Sequence, residues 1–393
     1  MKRCLQVLGI ISFPLLLAGA AAQQPACPFS FGLVSKTDID LHANNIYVDS
    51  FDSTDPTKST NGQYDQAKRQ PNGDVAVGGS LTNSVTNFAS ANIYGVVFLS
   101  PSGSVTMGPN GSIGPSFSNP DTTVTQAMAD GWIGTNCSLY VPDVSLPSGF
   151  SSASNLGTIN GNTTINGSGY YTVDSINLSG SKTLTITNGN VNIYVTGDMS
   201  LAGNATIVVA PGATLTIYVA GSVFIAGNGV ANVTGQATRS RFYGLPSSTT
   251  WSITANTPWA GVVWAPEAAL VLGGGDKSGA FIAGSMMFGG NGNMHYDESL
   301  GIKVCSSASG GWVDGITGIA LTGSDVSISF PVASLRRYTV EYIDNLTASN
   351  WTGLATTNTS SCTGEIVRVM DSGGSSLSQR FYRLRIHPQL LDP

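Results

Sequence analysis

The chain has 393 residues, of which 41% are hydrophobic and only 10% charged, with a formal net charge of −6. Charged residues ordinarily make up about a quarter of a globular domain; with so few, and no Lys/Arg cluster, nucleic acid and anionic membranes are excluded as expected partners. Disorder is excluded as well, because the apolar residues are abundant and alternate instead of being diluted.

Met1-Lys2-Arg3, the apolar run from Leu5 to Ala18 and the small residues Ala20-Ala21-Ala22 have the form of a signal peptide over residues 1–22. The run is shorter than the roughly 18 residues of a membrane span, so cleavage is expected, leaving a chain without a transmembrane segment that is secreted or held at the cell surface. Cys27, Cys137, Cys305 and Cys362 remain after cleavage. An even number of cysteines in an exported chain makes them disulfide candidates, and the spacing does not choose among the three pairings. None has the close C-x-x-C spacing of a structural zinc site.

Short alternating runs follow at Ile39 to Val48, Val75 to Val77, Ile93 to Leu99 and Val105 to Ile113. They read as early, irregular rungs of a solenoid interrupted by an insertion near 49–72. Within it Asp49, Asp52 and Asp55 stand at three-residue spacing. Such carboxylates bind calcium when they converge, and are solvated turns when they do not. A second insertion near 119–152 contains Pro120, Pro142 and Pro147 with a short helical stretch from Thr123 to Trp132, and is expected to lie over the side or one end of the solenoid.

The regular part begins near 153. Ile193-Tyr194-Val195-Thr196-Gly197 followed by Ala202-Gly203-Asn204 returns 24 positions later as Ile217-Tyr218-Val219-Ala220-Gly221 followed by Ala226-Gly227-Asn228. A degenerate copy starts at Phe281. A fixed period of roughly 20–50 residues with period-2 strands belongs to coils that stack on their neighbours. The expected fold is therefore all-β: a right-handed parallel β-helix over residues 23–305. A third insertion is expected near 239–258, where Arg241, Tyr243, Trp251 and Trp259 are candidates for an exposed ligand-contact surface, the alternative being a satellite core on the solenoid flank. From Trp312 the texture changes to strands spaced roughly 10–25 residues apart, pointing to a small antiparallel β-sandwich over 312–387.

Chemistry has few places to reside. Between Phe150 and Thr238 the only charged residues are Asp174, Lys182 and Asp198, too few for an acid/base pair with a stabiliser. His295-Tyr296-Asp297-Glu298 is the densest polar cluster, and reads as a segment covering the last coil's open edge, since no nucleophile motif accompanies it. Thr183, Thr185 and Thr187, with Thr214 and Thr216, face outward from their strands and raise ice binding as a further alternative.

Ile46-Tyr47-Val48-Asp49-Ser50-Phe51-Asp52-Ser53, Gly73-Asp74-Val75-Ala76, Ala91-Asn92-Ile93-Tyr94-Gly95 and the stretch from Phe281 to Glu298 resemble a bacterial β-solenoid domain of uncharacterised function. That family occurs in exported proteins, including type IV pilus-assembly-like proteins, and the resemblance spans roughly residues 30 to 303. It carries no catalytic residues over. Tyr338 to Leu346, Trp351 and Arg380 to Leu384 are similar to a β-sandwich module that closes many exported proteins of environmental bacteria, which implies attachment or spacing.

Together these readings point to a non-catalytic exported or cell-surface structural or adhesion protein. Its loops are expected to meet an extracellular glycan, a surface or another protein. The alternative is a carbohydrate-active enzyme, a polysaccharide lyase or hydrolase, with its site in the insertions. Calcium at Asp49, Asp52 and Asp55 is the one cofactor raised.

Overall fold

The computed structural model describes residues 31–41, 44–78, 85–87, 90–100, 103–135, 141, 143–290, 292–300, 316, 318–332, 337–345, 350–358, 365–376 and 379–386. The signal segment and Cys27, Cys137, Cys305 and Cys362 lie outside the described residues, as do His42 and His387.

Among the described residues twenty-six strands form one large sheet, paired in parallel. The sheet runs as three ladders, one on each side of a coil, as in a β-solenoid. In the regular coils Thr183–Val195 supplies two sides, Met199–Leu201 the third, and Thr206–Val209 starts the next turn. The 24-residue offset is the coil repeat: Ile193, Tyr194 and Val195 lie beside Ile217, Tyr218 and Val219. Alternation explains the packing. In Ala213–Val219 residues 213, 215, 217 and 219 are buried and those between are half-buried. Each buried aliphatic side chain of this kind contributes about 1.5–3 kcal/mol, and identical columns repeat up the stack.

Coil order in space is not coil order in sequence. One ladder runs Ser154–Asn155, Gly169–Val173, Thr183–Val195, Ala213–Val219, Ser240–Gly244, Trp259–Leu272, Lys277–Phe288. It then continues with Leu33–Ser35, Val75–Val77, Val97–Leu99 and Ile133–Gly134. The second ladder makes the same jump, from Lys277–Phe288 to Ile39–Leu41. The third passes from Met294–Asp297 to Asn44–Phe51. The early coils thus continue the stack that the later coils begin.

This order obliges the chain to travel back. Gly134 and Ser154 stand at opposite ends of a ladder whose ten steps of about 4.8 Å make roughly 48 Å. Twenty residues reach at most about 70 Å, enough to cover that distance. The described contacts of this connection follow that path. Val141 packs among Val34, Ala76, Phe98 and Ile282. Asp143 bonds Lys36 at 3.2 Å, and Phe150 sets its ring edge-on against Tyr170, Tyr194 and Tyr218. At the end bearing Ile133, the short helix Val124–Ala129 buries Ala127 in the solenoid core, with Val105, Met107 and Trp132 packed beside it.

Residues 239–258 are not an insertion. Ser240–Gly244 and Thr250–Ile253 are regular rungs. Beyond the solenoid, Gly318–Thr322, Asp325–Val332 and Glu365–Asp371 form one antiparallel three-stranded sheet, and Arg337–Ile343, Thr352–Asn358 and Phe381–Ile386 another. Val326, Ile328 and Phe330 from the first share an apolar cluster with Tyr338 and Val340 from the second. Arg380 spans Asp344 and Asp371 at 2.7 and 2.9 Å and covers the Tyr342 ring, while Arg383 bonds Glu341 and covers Trp351.

Candidate functional site

The densest group of ionisable side chains sits where the two runs of coils meet. Strand Met294–Asp297 lies directly beside Asn44–Phe51, with His295 opposite Asp49 and Ser278 on the other side of His295. Met294 and Val48 point into the core, so His295 and Asp49 stand on the outward side of their strands. They are nevertheless buried, at 1% and 0% side-chain exposure, because residues 52–72 fold back over them. That loop returns to the sheet at Gly73, where a Cβ would lie 2.6 Å from the Val48 carbonyl; only glycine fits so close to the backbone.

His295 Nδ1 lies 2.6 Å from Asp49 Oδ1. Nε2 lies 3.6 Å from Asp276 Oδ2, too long for a hydrogen bond but within ionic reach. Tyr64 stacks on the imidazole at 3.5 Å between centroids and donates its hydroxyl to Asp49 Oδ2 at 2.8 Å. The Arg69 guanidinium is 3.8 Å from the same oxygen and rests on the rings of Tyr47, Tyr94 and Phe117. Next along the strand, Asp297 Oδ1 accepts from the backbone N–H groups of Ser53 and Ser299. Glu298 accepts from Ser50 Oγ, Asn72 Nδ2 and Lys58 Nζ.

Burial pushes the Asp49 carboxyl above its ordinary range, against the pull of His295, Tyr64 and Arg69. Burial pulls the His295 pKa down, but the neighbouring Asp276 and Asp49 carboxylates outweigh it and hold it above the ordinary imidazole value. Asp297 is raised by burial. Asp74, whose Oδ1 accepts from the Val96 N–H, is pushed up to about 7 by burial, with the charge of Glu298 adding to the effect. Lys277 points into the core and donates to the carbonyl oxygens of Gly273 and Gly275; burial lowers it to about 8. An imidazole between two carboxylates is able to shuttle a proton. Here Tyr64 stacks on one face of the ring and the His295 side chain is 1% exposed.

The carboxylates of the 49–72 loop do not converge. Asp49 is committed to His295; Asp52 Oδ1 accepts from Thr54 N and Oγ1, and Asp55 Oδ1 from Thr57 N and Oγ1. Those are side-chain-closed turns. Among the described residues no group of three His, Cys, Asp or Glu is placed to hold a metal ion.

The four candidate contact residues divide by strand parity. Trp251 and Trp259 point inward and are 0% and 1% exposed, so both belong to the core and not to a contact surface. Trp251 takes a place held by Val223 one coil earlier; the larger ring fits because Gly244, between Val219 and Ala265, leaves room for it. Its indole N–H donates to Ser248 Oγ at 2.7 Å. Arg241 and Tyr243, flanking inward Phe242, are on the outer face and half-buried. Sequence grouping by proximity missed this split, although Trp251-x-Ile253 carried the parity signal.

Tyr194, Tyr218, Tyr243 and Trp264 form an outward column on one ladder. Tyr218 and Tyr243 lie 5.1 Å apart with their ring planes inclined at 30°, and burial raises the pKa of both phenols. Asn192, Thr216 and Arg241 form the adjacent column. The outward threonines do not share a plane: Thr185 lies between Thr164 and Val208 on one side of the coil, and Thr216 lies on another. A third side exposes Phe224 and Met287, 48% and 44% accessible, with Ser252 and Val271 between them.

The profile of a family described as a domain of unknown function, DUF7305, matches residues 145–302. That is less than half of the chain, and coincides with the later run of coils and the end of the connection that leads to it from Gly134. Comparison with curated proteins and with solved structures gives no match.

Proposed function

We propose that the protein is an exported, non-catalytic structural or adhesion protein, a β-solenoid rod whose outward side chains contact an extracellular glycan, a surface or another protein. The observation that carries this reading is where the charge sits. The acid and histidine cluster lies where the two runs of coils meet, with Asp49, His295 and Asp297 each buried and Asp276 half-exposed. Meanwhile the outward columns that remain accessible are largely neutral and hydroxyl- or amide-bearing. Arg241 and Tyr243, with Thr216 and Tyr218 beside them, are the contact residues in this reading. The solenoid is taken as right-handed, following the handedness of parallel crossovers, and the two C-terminal sheets as a β-sandwich that spaces or attaches the rod.

A glycan and matrix-protein binding screen on the mature chain tests the proposal. Binding that Arg241→Ala and Tyr243→Ala together weaken at least tenfold is the expected result. Turnover in a panel of polysaccharides, lost in Asp52→Asn or Glu298→Gln, would replace it with a carbohydrate-active enzyme.

A further inference from the structure

We infer that His295 is a pH-responsive clasp, holding the 31–113 coils onto the 154–300 coils while protonated and loosening the seam when it loses that proton. Every other rung is followed along the chain by the next. At this seam the coil passes in space from Asp297 to Leu33, and no peptide bond carries it across. What holds the two runs together is strand pairing and the side chains that reach over it, and His295 is central among them.

The groups that face His295 come from each element packed on it. Asp49 and Tyr47 belong to Asn44–Phe51, Tyr64 and Arg69 to the covering loop, and Asp276 to the turn before Lys277–Phe288. Asp297 ends its own strand, Glu298 follows just beyond it, and Lys58 is paired with Glu298. As a cation the ring offers an N–H toward each of Asp49 and Asp276, one from each run of coils. As a neutral ring it keeps a single N–H, and a nitrogen lone pair then faces one of the two carboxylates. The ring has no way to turn to water, because Tyr64 lies flat on it. Losing the proton therefore removes an ionic bridge across the seam and leaves Asp49 buried, with Tyr64 and a more distant Arg69. Because both carboxylates hold the imidazole above its ordinary value, the clasp is closed in mildly acidic conditions and opens as the pH rises. Among the described residues His295 is the only histidine.

Hydrogen exchange on the full chain between pH 5 and 9, corrected for the intrinsic rate, tests this. Peptides covering 46–51 and 294–297 are expected to lose protection at least tenfold as the pH rises, while 191–219 keeps its protection. H295Q is expected to leave the seam weakly protected at every pH. D276N keeps an acceptor for Asn293 but removes one carboxylate, and is expected to shift the transition to lower pH. The imidazole titration, followed by NMR and assigned with H295Q, should coincide with the loss of protection. Seam protection unaffected by pH, a pH response unchanged in D276N, or an imidazole already neutral at pH 6 would overturn the inference. If H295Q does not fold, D276N and the wild-type titration decide the matter alone.

Discussion

The coils around 191–225 and the seam around 48–72 and 294–298 use the same parallel ladder, yet close it in opposite ways. In the coils each side chain has its counterpart one repeat away, as Ile193 has Ile217, and the contact is dispersive and interchangeable. At the seam His295 meets Asp49 across 246 residues, and a one-off set of charges, a stacked tyrosine and a covering loop make the join. Repetition supplies stability that tolerates local change. A unique join supplies a place where conditions act.

Ile217→Asp puts an unpaired carboxylate into the most regular part of the stack, where residue 217 is fully buried. A loss of several kcal/mol, about 4 or more, is expected, enough to abolish cooperative unfolding monitored by circular dichroism. A folded, cooperative variant would show that the coils are looser than their columns imply.

Asp74→Asn sharpens the comparison from the seam side. Asp74 has a raised pKa, so its native form binds more protons than the unfolded chain between about 4 and 7. Stability is therefore full below the ordinary carboxylate range and falls as pH rises through 7. An asparagine still accepts from the Val96 N–H without that cost. The variant is expected to match the parent at pH 4 and to exceed it by about 1–2 kcal/mol at pH 8 in urea unfolding, part of the nominal shift being lost to solvent screening. Equal stability at both pH values would place the carboxylate in a more solvated position.

The smallest effect belongs to the outward side of the coils. Phe224→Ser removes an exposed ring that the core does not use, and stability is expected to change by no more than about 0.5 kcal/mol. A larger loss in thermal unfolding would mean that another part of the chain covers this face.

Much of the fold was legible in the residues. The 24-residue offset located the coils and their register, because stacked rungs need the same parity at each step. It placed Val195 beside Val219 and turned Leu215 and Ile217 inward. Parity also separates Arg241 and Tyr243 from Trp251, although composition alone made the stretch look like an insertion.

His295-Tyr296-Asp297-Glu298 was legible as a cluster at the end of the last coil, but not as half of a join. Local pattern determines which way a side chain points within its own strand, since alternation is a property of neighbouring residues. It does not determine which strand comes to lie alongside. Any rung with the right parity satisfies the backbone of any other, so the pairing of Met294–Asp297 with Asn44–Phe51 is chosen by contacts across 246 residues. The sequence by itself determined the alternation, the repeat and the buried columns. Only the tertiary structure decided that the early coils continue the late ones, and that this seam gathers His295, Asp49 and Asp276 where water does not reach the ring.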